Sequence, residues 1–145
     1  MIKADFYEAL AEIAFRECIQ KIVMGGVIIN QKKFLLLERK ADDFMGGIFE
    51  LPSGKVEEGE SLKDALYREV KEETGLRIKR VIKYLGYFDY VSGSGKRTRQ
   101  FNFLVEPESV ANIVLTEHKS FVWVDKTEIG KYNVTDSVKG ILLKL

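Results

Sequence analysis

The stretch from Gly54 to Leu76, GKVEEGESLKDALYREVKEETGL, constrains this chain more than any other. It opens as a loop carrying Gly54 and Gly59 and continues as a helix from Ser61 to Thr74. Ser61 suits the N-cap, and Asp64 is placed to reach back toward it. Gly75 then stops the helix, because glycine accepts the left-handed conformation that a helix end commonly adopts. At the helical repeat, Leu62, Ala65 and Leu66 share one face with Glu69 and Glu73, and Glu72 flanks that face. Lys63, Asp64, Tyr67 and Lys71 fall on the opposite side. The apolar stripe of this helix therefore ends in carboxylates.

Carboxylates turned inward are costly unless they are paired or bind a metal. Glu69 and Glu73 form a like-charge i,i+4 pair, which disfavours an isolated helix. A divalent cation would hold Glu69, Glu72 and Glu73 together. Oxygen-only ligands select hard ions, Mg²⁺ first with Mn²⁺ as its substitute. Mg²⁺ usually keeps part of its water shell and binds substrate phosphates, so a phosphorylated ligand is expected. Periodicity alone leaves a second reading open, a solvated Glu/Lys helix with charge pairs.

The spacing resembles the Nudix box: Gly, five residues, Glu, seven residues, then Arg-Glu-apolar-x-Glu-Glu-x-Gly-apolar. Gly54, Glu60, Arg68, Glu69, Val70, Glu72, Glu73, Gly75 and Leu76 stand at the defined positions. The flanks are similar to the MutT-related branch of that family, and the resemblance extends over about residues 20 to 145. It implies an α/β fold, the Nudix α/β/α sandwich with a curved mixed sheet. Phe49-Glu50-Leu51-Pro52-Ser53-Gly54 resembles the Trp-Glu-x-Pro-Gly-Gly lead-in to the box. Phe49 replaces the usual Trp and Ser53 the usual Gly. The resemblance makes the Ser53 carbonyl a metal ligand, provided the backbone angles suit a non-glycine residue.

The length of 145 residues suits one domain with one substantial core, with residues 1–18 as an N-terminal helical extension. Lys+Arg of 23 against Asp+Glu of 22 gives a net charge of +1, which offers no global attraction to nucleic acid or membranes. The N-terminus has no long apolar run, so the cytoplasm is the expected location. Cys18 is the single cysteine; no internal disulfide can form, and it reads as an incidental thiol.

Before the box, residues 3 to 17 read as an amphipathic helix with Phe6, Ala9, Leu10, Ile13 and Ala14 on one stripe. That helix either caps the core or pairs with a second copy as a homodimer. Residues 20 to 30 and 33 to 39 read as strands joined by a turn, and residues 40 to 53 as a loop. Arg39 ends the second strand, where the resemblance places a basic residue facing substrate phosphates. After the box, residues 79 to 91 and 98 to 105 form a hairpin, residues 107 to 119 a polar loop, and Phe121 to Val124 a short strand with Trp123 in the core. His118 reads as structural or solvent-facing. Thr135 caps a C-terminal helix with Val138, Ile141, Leu142 and Leu145 on one side.

The resemblance implies metal-dependent hydrolysis of a diphosphate bond in a nucleoside phosphate. It gives Glu69, Glu72 and Glu73 to the metal and makes Glu69 or Glu117 the base. Arg68 and Glu60 become an ion pair that orients Glu69. Motifs of the coenzyme A, NADH, ADP-ribose and dinucleoside-polyphosphate branches are not evident, which leaves a nucleoside triphosphate, including an oxidised one, as the expected substrate. Two other classes compete: a catalytically weak nucleotide-sensing module on the same fold, and a prenyl diphosphate isomerase. The intact box glutamates argue against the first, and the early position of Cys18 against the second.

Overall fold

The apolar run Lys21–Asn30 (β1) is buried on both faces at its middle, from Val23 to Ile28, and lies at the centre of a mixed sheet. The computed structural model describes residues 2–43 and 45–145. The other elements are α1 (Ala4–Arg16), β2 (Lys33–Arg39), β3 (Phe49–Glu50), β4 (Ser53–Lys55), α2 (Leu62–Thr74), β5 (Ile78–Val91), β6 (Arg97–Pro107), β7 (His118–Val124), a 3₁₀ turn (Ile129–Lys131) and α3 (Asp136–Leu142). β1 runs parallel to β6, from Lys21 opposite Thr98 to Ile28 opposite Val105. Every other pairing is antiparallel among the described residues. The sheet order is β3-β2-β1-β6-β5, with β4 added to β1 and β7 to β2.

Alternation along the strands builds two apolar layers. Met24, Ile28, Phe101, Phe103 and Val105 meet Leu62, Ala65, Leu66 and Val70 of α2 and Tyr7 and Ala14 of α1. On the other face, Val27, Leu36, Leu51, Leu85 and Leu104 meet Val138, Ile141 and Leu142 of α3. Each fully buried leucine contributes about 2 kcal/mol through removal from water. Gly26 lets α2 come close: a Cβ there would lie 3.0 Å from Val70 Cγ2. The helix–sheet–helix layering is the expected α/β/α arrangement.

Four local expectations change. The segment 40–53 is not all loop, because β3 pairs with β2 and β4 pairs with β1. Two- and three-residue strands carry too few side chains to show a period. The 107–119 loop is shorter than expected, since β6 runs to Pro107 and β7 begins at His118. Tyr67 is half-buried against the α2 core layer instead of lying wholly on the outer side. Finally, α1 is rotated: Tyr7, Leu10, Ala11 and Ala14 face the core, while Ala9, Phe6 and Ile13 are exposed. The Tyr7 ring packs on Phe103 inside the core with centroids 5.3 Å apart, while Phe6 meets Tyr84 edge-on at the same distance and stays exposed. Trp123 packs partly buried against the same layer.

α1 thus caps its own core. Its end is tied down by Arg99, whose side chain is 5% exposed. Arg99 donates to both carboxylate oxygens of Asp89, at 2.7 and 2.9 Å, and to Glu17 at 2.6 Å. Cys18 follows, exposed, with φ of 62°. Among the described residues, no helix is long and apolar enough to cross a membrane.

Candidate functional site

Ser61 caps α2 by accepting a hydrogen bond from the Asp64 backbone N–H at 3.1 Å. Asp64 takes part through its main chain, and no bond from its carboxylate back to Ser61 accompanies it. Gly75 ends the helix in the left-handed region at φ 77°. Between these ends, α2 delivers Arg68, Glu69, Glu72 and Glu73 to one rim of the sheet.

Arg68 organises the rim. Its Nε and Nη2 donate to the two Glu60 carboxylate oxygens at 2.7 and 2.8 Å, a two-pronged pair that only guanidinium geometry gives. Its Nη1 donates to Glu69 at 2.7 Å and Glu72 at 3.1 Å, and its Nη2 to the Lys55 carbonyl at 3.0 Å. The hydrogen bonds from Arg68 hold the Glu60 carboxyl down at about 2. One side chain therefore fastens the Gly-rich loop to α2 and sets the direction of two glutamates.

Glu73 is 9% exposed and receives the Ser53 backbone N–H on Oε1 at 2.7 Å. Burial pushes its carboxyl up to about 7, against the lowering effect of that hydrogen bond and of His118. Burial also raises Glu69, with Arg68 opposing the shift and the charges of Glu72 and Glu117 adding to it. The Glu69 carboxyl lies against Gly54, where any Cβ would overlap it. Glu72 points to solvent, with its side chain 57% exposed.

Glu117 is exposed and lines the same cleft as Glu73 and Ser53. The preceding residue fixes it, since Thr116 Oγ1 donates to the Glu72 carbonyl at 3.0 Å. The structure thus joins Arg68, Glu69 and Glu72 in one hydrogen-bonded group and sets Ser53, Glu73 and Glu117 along one cleft.

Sequence reasoning missed a second cluster. Arg39 Nη1 donates to Glu50 Oε1 at 3.3 Å, and His118 Nε2 bonds Glu50 Oε2 at 2.8 Å. His118 is buried, which removes its solvent-facing reading. Burial pulls its pKa down, yet the hydrogen bond to Glu50 and the charges of Glu73 and Glu50 outweigh it and leave the pKa raised. Arg39 Nε and His118 Nδ1 are buried without partners among the described residues. Arg39, Glu50 and His118 all line the cleft, so Arg39 reaches it already half-neutralised. Strand register could have found this cluster: Arg39 opposes His118 across β2 and β7, and Glu50 opposes the neighbouring Leu37 across β2 and β3.

The cleft holds about 590 Å³. Glu73, Ser53 and Glu117 line it together with Phe88, Tyr90, Gln100 and Val138. Among the described residues, no three His, Cys, Asp or Glu side chains are already gathered as a metal cage. The donors nonetheless fit a hard divalent ion. They are all oxygens, Glu73 is a desolvated carboxylate with Oε2 free of protein partners, and the missing side chain of Gly54 leaves room for Glu69.

The NUDIX domain family profile matches residues 20–144, which leaves α1 outside. The chain is 30% identical to the CTP pyrophosphohydrolase of Escherichia coli over 76% of this chain and 79% of that protein. It is 45% identical to the ADP-ribose pyrophosphatase of Methanocaldococcus jannaschii, over 46% of this chain and 38% of that protein. The chain spans less than half the length of several curated relatives. Among solved structures, the MutT protein of Methanosarcina mazei is similar at 29% identity and a TM-score of 0.74, covering 86% of this chain and 91% of that one. The E. coli ORF135 protein is similar at 27% identity and a TM-score of 0.73, covering 88% of this chain and 89% of that one. With nearly the whole sheet, the box helix and α3 inside the match, this chain belongs to the NUDIX family.

Proposed function

We propose that the protein hydrolyses a diphosphate bond in a nucleoside di- or triphosphate, with Mg²⁺ as the metal and Mn²⁺ as its substitute. The observation that carries this reading is that Glu73, Ser53 and Glu117 line one cleft with Phe88 and Gln100, while Glu69 lies near enough to feel the charge of Glu117. Relatives named for CTP, 8-oxo-dGTP and ADP-ribose support a nucleotide substrate without choosing one.

Glu69, Glu72 and Glu73, with the Ser53 carbonyl, would hold the metal. Bound divalent cations neutralise phosphate oxygens and acidify a coordinated water. The chain's own residues do the rest. Arg68 orients Glu69 and Glu72 and keeps the Gly54–Glu60 loop against the helix. Glu117 takes the proton from the attacking water, whose oxygen bonds to phosphorus as the diphosphate P–O bond breaks. Glu69 is the other base within the cluster, but its Oε1 is already engaged by Arg68, which favours Glu117. Arg39 faces the phosphate end of the cleft. The sensing-module reading is disfavoured because every box carboxylate is present.

A nucleotide panel incubated with Mg²⁺, with products identified by mass, tests the reading. Conversion of a triphosphate to monophosphate and pyrophosphate, or of a diphosphate to monophosphate and phosphate, is expected, and it stops with EDTA. Tight nucleotide binding without turnover would make the sensing module the better reading.

A further inference from the structure

One amide that the hydrolysis does not use, that of Gln100, lines the cleft, and a second, that of Asn102, stands behind it. Gln100 and Asn102 stand on β6, 6% and 0% exposed. Asn102 Nδ2 donates to two main-chain carbonyls, those of Gly86 and Gln100, both at 3.2 Å. Carbonyls can only accept, so the Asn102 amide has one permitted orientation and its Oδ1 faces Gln100. Gln100 must answer with its Nε2, which donates at 2.9 Å. The Gln100 orientation is fixed in turn, and its Oε1 is left free of side-chain donors among the described residues and open to the cleft. Gln100 lines the cleft.

Space for this pair is made on β1. A Cβ on Gly25 would lie 2.5 Å from Gln100 Nε2 and 2.7 Å from Asn102 Oδ1. Gly25 sits opposite Asn102 on one side and opposite Ser53 on the other. Both amide groups therefore gather over Gly25, beside the strand that carries Ser53. Phe88 stands opposite Gln100 on β5 and also lines the cleft, which offers an aromatic ring to the same group.

We propose that Gln100 is a specificity-determining residue: its Oε1, held in place by Asn102 over Gly25, accepts a hydrogen bond from an N–H on the edge of the substrate's nucleobase, with Phe88 against the ring. The proposal rests on the nucleotide-hydrolase reading and names what selects among nucleotides. An acceptor fixed in orientation at the cleft wall favours a base that presents an N–H there over one that lacks it.

The test is the ratio of kcat/KM between the preferred nucleotide and analogues of it that replace one base N–H by hydrogen or methyl. In the parent, one such analogue is expected to be poorer by about 10-fold or more. In Gln100→Met, which keeps the side-chain length, that ratio should collapse to within about threefold, mainly through KM, with a lowered thermal midpoint because Asn102 Oδ1 loses its donor. Asn102→Leu frees the Gln100 amide to flip and should erode the same ratio, which provides a second variant if Gln100→Met folds poorly. Hydrolysis with an unchanged ratio in both variants overturns the proposal and leaves the hydrolase reading standing. Failure of the parent to hydrolyse any nucleotide overturns the reading beneath it.

Discussion

The Ser53 backbone N–H meets the Glu73 carboxylate at 2.7 Å, and this contact joins the short strand β4 to the buried face of α2. The same short strand accommodates a serine where the resembled lead-in has glycine. Ser53 lies in a regular antiparallel pair with Gly25, which any residue can adopt, and its φ is not among the positive values. The Ser53 contact also explains why Glu73 stays inward when its pKa is raised.

Glu73 predicts a pH dependence of stability in the metal-free protein. A carboxyl raised from 4.5 to about 7 keeps its proton in the folded state where the unfolded chain has released it. Stability therefore falls as pH rises from about 4.5 to 7, by roughly 3 kcal/mol, and stays low above that. His118 acts in the same direction: its raised pKa stabilises the fold below 6.5, and that contribution is lost as pH rises through the folded-state value. Thermal midpoints of the EDTA-treated protein should drop between pH 5 and pH 8, and Glu73→Gln should flatten much of that slope. Mg²⁺ should raise the midpoint more at pH 8 than at pH 5. A parent profile flat over this range would contradict the assignment.

Arg68→Lys should not be neutral, although the charge is kept. Lysine cannot make the two parallel bonds to Glu60 and still reach Glu69 and Glu72. Metal affinity should weaken on the order of 10-fold with nucleotide preference unchanged. Changed preference at unchanged metal affinity would place Arg68 against the substrate instead.

Gly54→Ala should displace the Glu69 carboxyl, since the new methyl would occupy its position. The expected result is a drop in turnover of about 10–100-fold with the fold retained by circular dichroism. Parent-like turnover would show that Glu69 can work from another position.

Glu117→Gln should lower kcat by about 10²–10⁴-fold and leave KM nearly unchanged, the signature of a lost base. An increase in KM alone would make Glu117 a nucleoside contact. An unchanged kcat would pass the role to Glu69.

What the sequence showed depended on how local the signal was. The α2 cap, its glycine stop and the inward turn of Glu69 and Glu73 lie within one helix, where helical geometry fixes neighbours, whereas the Arg68–Glu60 pair was expected from the family resemblance alone. The α1 stripe was misplaced because Phe6 and Tyr7 are adjacent aromatics that both find ring partners, Tyr84 and Phe103, and the choice of which is buried depends on the sheet beneath them. Arg39, Glu50 and His118 meet across three strands, so their cluster appears only with the register. Gln100 and Asn102 did leave a trace: polar residues alternate with Phe101, Phe103 and Val105 along β6, which marks a polar floor on the face opposite α2.

Mn²⁺ titration by calorimetry tests the central claim most directly, with turnover measured on the same samples. The account predicts saturable binding to the parent, weakened by about 10-fold or more in Glu72→Gln and Glu73→Gln, and kcat reduced by roughly 10³-fold in both. Folded variants that bind Mn²⁺ as the parent does and keep turnover within about threefold of it would contradict the claim that the α2 carboxylates hold the metal.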